Sequence, residues 1–378
     1  MSGALTTLVA VGKEDAILHN DPQITFFKTN FKRYANFSQA TLSQVISGNP
    51  AEGALSSMTI SKKGDLMNYM YITKKINGVL QPNITEDDIE YIEFVIGEQI
   101  IDKITTKQLV SLKNIKNKYS KTHNGFERNG KLGFYDQYNY PLGFWFCDNW
   151  SCSIPLVSLQ YHDVQVRIRW GASASGATYE GWVNYVYLDK GERQMISESK
   201  GVNDMLIYQH AETPPSNTNN MELTFNNPVS FLFSDIGTTD IFGKTIPNVS
   251  DKLLIRLNGV DIVDKKEITP HYNIMTLINH TEFSKWNAVD PINKVELTRD
   301  AADRLTDVTV TTETGTNMGF FYPFALNCSS FQPSGTCNFS RIDGAYLISD
   351  SSIKKSIYAR NYNVLRIQKG MGGMLFNS

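Results

Sequence analysis

The chain has 378 residues, with 36 Lys and Arg against 38 Asp and Glu, 41% hydrophobic and 11% aromatic residues. It is too long for one typical domain and long enough for two, each with its own core. The net charge of −2 gives no general affinity for nucleic acid or anionic membranes, and no apolar run approaches the length of a membrane-spanning helix.

From the N-terminus, Met1 to Val11 lacks the basic n-region and full apolar core of a signal peptide, and Ser2 excludes a myristoylation start. The chain is therefore expected to be made and to fold in the cytosol. Tyr91 to Ile96 is rich in aromatic and β-branched residues, which strands favour. Lys107 to Tyr119 carries Leu109, Leu112, Ile115 and Tyr119 at helical spacing and runs up to His123-Asn124-Gly125, which predicts one helix between strands. In Val164 to Trp170, Val164, Val166, Ile168 and Trp170 alternate with Gln165, Arg167 and Arg169, the pattern of a half-buried strand.

Further on, Trp182 to Leu188, Met221 to Phe225 and Tyr362 to Ile367 read as strands. Leu254 to Leu257 and Val260 to Val263 flank Asn258-Gly259, a pair suited to a type I′ hairpin. Gly370-Met371-Gly372-Gly373 reads as a flexible tail. Many short strands with turn chemistry between them predict an all-β protein with few short helices in loops, built as sandwiches or barrels.

Signs of chemistry are scarce. His19, His123, His162, His210, His271 and His280 show no metal-ligand spacing. No nucleophile elbow, phosphate loop or dinucleotide fingerprint occurs. Asp87, Asp88 and Glu90 read as a solvated polar loop, although two acids on a β-sandwich also fit a glycosidase. Cys147, Cys152, Cys328 and Cys337 form no CxxC pair, so reduced thiols are expected. Eight basic residues lie between Lys103 and Lys131 and five between Ser351 and Ser378; either segment is a phosphate- or lipid-facing patch or a solvated face. Asn-X-Ser/Thr sites at Asn36, Asn83, Asn149, Asn248, Asn279, Asn327 and Asn338 are expected to be fortuitous in a chain without a signal peptide. No catalytic residue, cofactor site or metal site is expected, and no cofactor.

The halves echo one another. Val95 to Lys103 aligns with Leu257 to Lys265, placing Gly97 on Gly259, and Pro155 with Tyr161 resembles Pro333 with Phe339. The match reads either as coincidence, since a Gly turn before an apolar strand is common, or as two copies of one fold; in the second case a period this long means domain duplication and not a solenoid.

Four stretches carry a resemblance: Asp21 to Lys28, Ile154 to Val164, the block Gln332 to Asp343 (Gln-Pro-Ser-Gly-Thr-Cys-Asn-Phe-Ser-Arg-Ile-Asp), and Tyr358 to Ile367 with the Gly-Met-Gly-Gly tail. Together with Gly64-Asp65-Leu66 and Trp182 to Asp189, they make the chain similar to the major capsid proteins of nucleocytoplasmic large DNA viruses. The resemblance implies two tandem eight-stranded antiparallel jelly rolls, with an N-terminal arm over 1–24, a first roll over 25–200 and a second over 201–378. It implies pseudo-hexagonal homotrimers tiling an icosahedral shell, contacts with neighbouring capsomers and minor capsid proteins, an internal membrane nearby, assembly in the host cytoplasm, and no sequence-specific nucleic acid.

Two features depart from the family pattern. Asp21 stands where Asn is usual, and the stretch from Asn226 to Gln332 leaves little room for large outward loops. A smaller capsid paralogue, a minor capsid protein or a scaffold protein of the same virion is the alternative. From another class, a β-sandwich glycan-binding protein or glycosidase competes. Phe144-Trp145-Phe146 and Phe320-Phe321-Tyr322 are candidate anchors for self-association, with core packing an equal explanation.

Overall fold

A computed structural model describes residues 3–24, 26, 32–116, 126–128, 130–135, 137–197, 203–237, 239–244, 251–281, 292–299, 305–313 and 317–376. The alternation at Val164–Trp170 is realised residue for residue: the four apolar side chains are buried and the three polar ones half-exposed. This strand (β7) lies between Leu55–Thr59 (β2) and Ile89–Ile96 (β4), with Val166 opposite both Met58 and Phe94. Adding Gln99–Thr105 (β5) gives a sheet of order β2-β7-β4-β5. Facing residues on its inner side join a core that includes Met58, Phe94, Val166 and Ile168.

A second sheet has the order β1-β8-β3-β6, from Phe37–Gln44 (β1), Leu66–Ile76 (β3), Tyr140–Pro141 (β6) and Thr178–Leu188 (β8). Strand order 1-8-3-6 over 2-7-4-5 defines a jelly roll. The pattern then repeats. Asn203–Thr213 (β9), Pro228–Ser234 (β11), Phe321–Pro323 (β14) and Ile357–Gln368 (β16) form β9-β16-β11-β14. Asn220–Glu222 (β10), Lys252–Leu257 (β12), Val260–Asp261 (β13) and Ala345–Ser349 (β15) form β10-β15-β12-β13. The fold is all-β, two antiparallel jelly rolls in tandem.

The duplication is real but shifted from its reading in sequence. Both β4–β5 and β12–β13 turn through two residues of positive φ, Gly97 and Glu98 in one (53° and 70°), Asn258 and Gly259 in the other (48° and 80°). Gly97 therefore corresponds to Asn258, one residue from the glycine-on-glycine match. The physical reason is local: a Cβ on Gly97 would lie 2.4 Å from the His162 ring, whereas the Asn258 side chain accepts from the amides of Asp343 and Gly344. The second match also moves. Ile154–Pro155 pairs with β3 and Cys337–Asn338 with β11, each followed by a 3-10 turn. The counterpart of Pro155 is thus Asn338, not Pro333.

The predicted helix forms over Thr106–Lys116, burying Leu109, Leu112 and Ile115; Tyr119 and the stop at 123–125 lie outside the described residues. Met221, Leu223 and Phe225 are buried as predicted, though ladder pairing ends at Glu222. The stretch expected to be too short for large loops carries a two-stranded ribbon, Ile292–Arg299 with Leu305–Glu313.

The chain divides into two compact units, Met1–Phe37 and Ser38–Ser378. In the first, Gly3–Val9 (α1) has no buried residue, and Leu8, Val9, Ile17, Ile24 and Phe26 are exposed. Asp21 has φ 53°, a left-handed conformation that Asp shares with Asn, so this departure preserves the turn.

Candidate functional site

Within Ser38–Ser378 the rolls share packing. Leu232 and Ala359 point into a core confined to the second roll. Phe231, Phe233, Tyr358 and Tyr362 belong instead to the cluster that fills the first roll. The sheet containing β11 and β16 is therefore buried on both faces. This accounts for its near-continuous burial, in contrast to the alternation of β7.

Polar groups cross this junction in pairs. The Asp102 carboxylate on β5 accepts from the His210 backbone N–H at 2.9 Å and lies 2.8 Å from His210 Nδ1; both side chains are fully buried. Gln209 donates to the Ile101 carbonyl (2.6 Å) and the Ile236 amide to Ser111 Oγ (3.0 Å). A buried carboxylate needs such donors, since leaving it unpaired costs several kcal/mol. Sequence spacing hid this pair because its members lie on different rolls.

The glycine-rich tail is ordered. Met371–Met374 (β17) pairs with β16, and the backbone there closes on the first roll. Tyr161 donates to the Gly370 carbonyl at 3.0 Å, and His162 Nδ1 lies 3.0 Å from the Gly372 carbonyl. A Cβ on Gly372 would meet Leu159 at 2.8 Å, and one on Gly370 the Tyr161 ring at 2.6 Å. The glycines serve close backbone approach, which corrects the reading as a flexible tail.

Asp88 also departs from expectation. It is buried, accepting from Lys74 Nζ (2.6 Å), the Tyr179 hydroxyl (3.1 Å) and the Thr85 amide (3.0 Å). It is a structural hub and not a solvated loop acid. Phe144, Trp145, Phe146, Phe320 and Phe321 are fully buried in the chain's own cores and Tyr322 is half-buried, so core packing explains both aromatic runs.

The described cations of the first basic segment each face an acid. Lys103 faces Glu93, Lys107 Glu86, Lys131 Asp87, and both Lys113 and Lys116 reach Asp148. Lys118, Lys121 and the Arg128 side chain lie outside the described residues. Near the C-terminus, Arg366 forms a two-pronged pair with Asp204 (2.8 and 2.7 Å). Burial pushes the Cys147 and Cys328 thiols up to about 12, so neither is a reactive thiolate. All four cysteines are unpaired. Among the described residues no cluster of His, Cys, Asp and Glu could hold a metal ion. Exposed apolar side chains include Val45, Trp150, Tyr161 and Leu326, the kind of surface that protein contacts cover.

The architecture matches known shells. A chain in the quasi-atomic model of the PBCV-1 virus capsid superposes with a TM-score of 0.69 at 24% identity, covering 94% of this chain and 100% of that one. The Faustovirus major capsid protein gives 0.59 at 12% identity, covering 97% and 96%. The fold is therefore the double jelly roll that those chains share.

Family models agree. One for the major capsid protein N-terminus matches residues 25–175, and one for the large eukaryotic DNA virus major capsid protein matches residues 192–373. The major capsid protein of Pyramimonas orientalis virus is 33% identical over 411 aligned residues, and that of Paramecium bursaria Chlorella virus 1 is 28% identical over 452, each alignment covering both chains in full. The chain belongs to the family of major capsid proteins of large eukaryotic DNA viruses. It is a structural protein of the capsid shell and not an enzyme. Because these alignments are longer than the 378 residues of this chain, the relatives carry insertions that it lacks.

Proposed function

We propose that this chain forms homotrimeric, pseudo-hexagonal capsomers that tile an icosahedral shell. We divide it into an arm at 1–24, a first roll at 25–200 and a second at 201–378. The supporting observation is the repeated strand order in two rolls that share a hydrophobic cluster spanning both. Two similar blocks per chain give a trimer six lobes, and stiff sandwiches tolerate variable loops without disturbing their edges. Neighbouring capsomers and minor capsid proteins would then cover exposed apolar residues such as Trp150 and Leu326. In this reading the shell assembles in the host cytoplasm beside an internal membrane, without sequence-specific nucleic-acid contacts.

Light scattering on the purified chain, followed by negative-stain imaging, tests the reading. The expected result is a stable particle of three times the 42.6 kDa chain mass with a six-lobed outline. A monodisperse monomer or dimer would overturn it. The lack of insertions that the relatives carry favours, as a second reading, a smaller paralogue in the same shell. Incorporation into virions at minor stoichiometry, measured by quantitative mass spectrometry, would select it.

A further inference from the structure

Arg360 on β16 is 1% exposed, yet its Nε and both terminal nitrogens have no hydrogen-bond acceptor. Its guanidinium lies 4.2 Å from the Tyr208 ring centroid and 4.8 Å from that of Phe231. Those rings stabilise the charge through their faces but satisfy none of its N–H groups. Opposite Arg360 in the ladder stands His210, whose Nε2 is likewise buried and unpartnered. Directly opposed residues share a face of the sheet, and this face is the one turned to the first roll.

The first roll adds cations at the same place. Lys116 Nζ lies 5.1 Å from the centroid of the same Tyr208 ring. Lys116 also pairs with Asp148, which Lys113 approaches at 3.5 Å. Burial opposes ionisation of Asp148, yet Lys116, Lys113 and Arg360 outweigh it and hold the carboxyl at about 2. For Lys116, burial wins and lowers the ammonium to about 8. Three cations thus face one carboxylate among the described residues, and the one that is fully buried, Arg360, leaves its N–H groups without acceptors, which is costly unless compensated.

We propose that this junction binds a small inorganic oxyanion, phosphate or sulfate, held by the Arg360 fork from the second roll and the Lys116 ammonium from the first. A planar guanidinium pairs with two oxygens of such an ion, and the ammonium supplies a point charge. The ion would supply the acceptors that the protein does not, and would bridge the rolls.

The test uses the full-length protein, dialysed into sodium gluconate at constant ionic strength, with phosphate as the probe. Melting temperature should rise by about 2 °C as phosphate increases from about 0.1 to about 10 mM, and go on rising with the logarithm of its concentration. Arg360→Met should abolish the rise. Lys116→Met, which keeps the fork, should shift it to higher phosphate, and serves if Arg360→Met does not fold. A flat response, meaning internal water alone, would overturn it. So would an equal rise in either variant, meaning surface binding only.

Discussion

Strands β7 and β16 are both inner strands of their sheets and are built by opposite rules. β7 buries alternate residues and leaves Gln165, Arg167 and Arg169 half-exposed; β16 buries seven consecutive residues from Ile357 to Asn363, Arg360 and two asparagines among them. The difference is what lies behind each sheet. The β7 sheet has one packed face, whereas the β16 sheet has the second core on one side and the first roll on the other. The two asparagines of β16 find partners within the second roll, Asn363 donating to Gln209 at 2.7 Å and Asn361 to the Asn226 carbonyl at 3.1 Å, whereas Arg360 meets only ring faces. A double roll is therefore closer to one body with three packed layers of contact than to two beads on a string.

Charge insertion gives the largest expected effect. Ala359→Glu, facing the second core, and Phe233→Glu, facing the first roll, should each cost about 4 kcal/mol or more. Gln165→Glu on β7 should stay within about 0.5 kcal/mol. Urea unfolding followed by tryptophan fluorescence and circular dichroism checks both. The shared core also predicts coincident transitions by the two probes; two separated transitions would break the comparison.

Next in size is the buried pair at the junction. Asp102→Ala strips the His210 amide and ring of their acceptor, and is expected to cost about 3 kcal/mol. The double variant with His210→Ala should lose less than the sum of the single variants. Strict additivity in denaturant melts would mean that the pair does not couple the rolls.

The parts of the fold legible in sequence were those governed by one face or one turn. Alternation at Val164–Trp170 and the Asn258-Gly259 pair each follow from local geometry, and each stands where it was read. The junction was not legible, because its partners are distant in the chain: Asp102 with His210, Gly372 with Leu159, Arg360 with Tyr208. Arg360 reads in sequence as one of five C-terminal cations on a phosphate- or lipid-facing patch or a solvated face, and only the second packed layer turns it into a buried one. The same blindness applies to Asp88, whose acceptor role depends on Tyr179 across the roll. The one available signal was the lack of period-two polarity in Pro228–Ser234, a run that marks a strand buried on both faces.

Gly372→Val tests the close approach of the tail to the first roll. The added carbon atoms meet Leu159 and, at 3.3 Å, Ile96. Because Leu159 offers a side-chain tip that can move, the expected loss is about 2 kcal/mol and not a failure to fold. Leu159→Ala in the same chain should recover part of it, measured by chemical denaturation; no recovery would place the strain elsewhere.

The smallest effect is the most diagnostic, because its sign depends on pH. Asp235 is held in the junction, where burial pushes its carboxyl up to about 6 against the opposing influence of the Tyr358 hydroxyl, Lys355 and Lys107. Its Oδ1 has no hydrogen-bond partner. A folded-state value above the unfolded one means that the stabilising contribution of the neutral acid is fully present below about pH 4 and is lost as pH rises through about 6. Asp235→Asn should therefore match the wild type near pH 4 and exceed it by about 1–2 kcal/mol near pH 7.5. Asp148 runs the other way: its carboxyl is held at about 2, so what it contributes is present above about pH 4 and fades as pH falls through about 2. If Asp235→Asn were instead destabilising at neutral pH, the carboxylate would be a needed partner of Lys107 and Lys355, and the junction would be held by ion pairs in place of a packed second face.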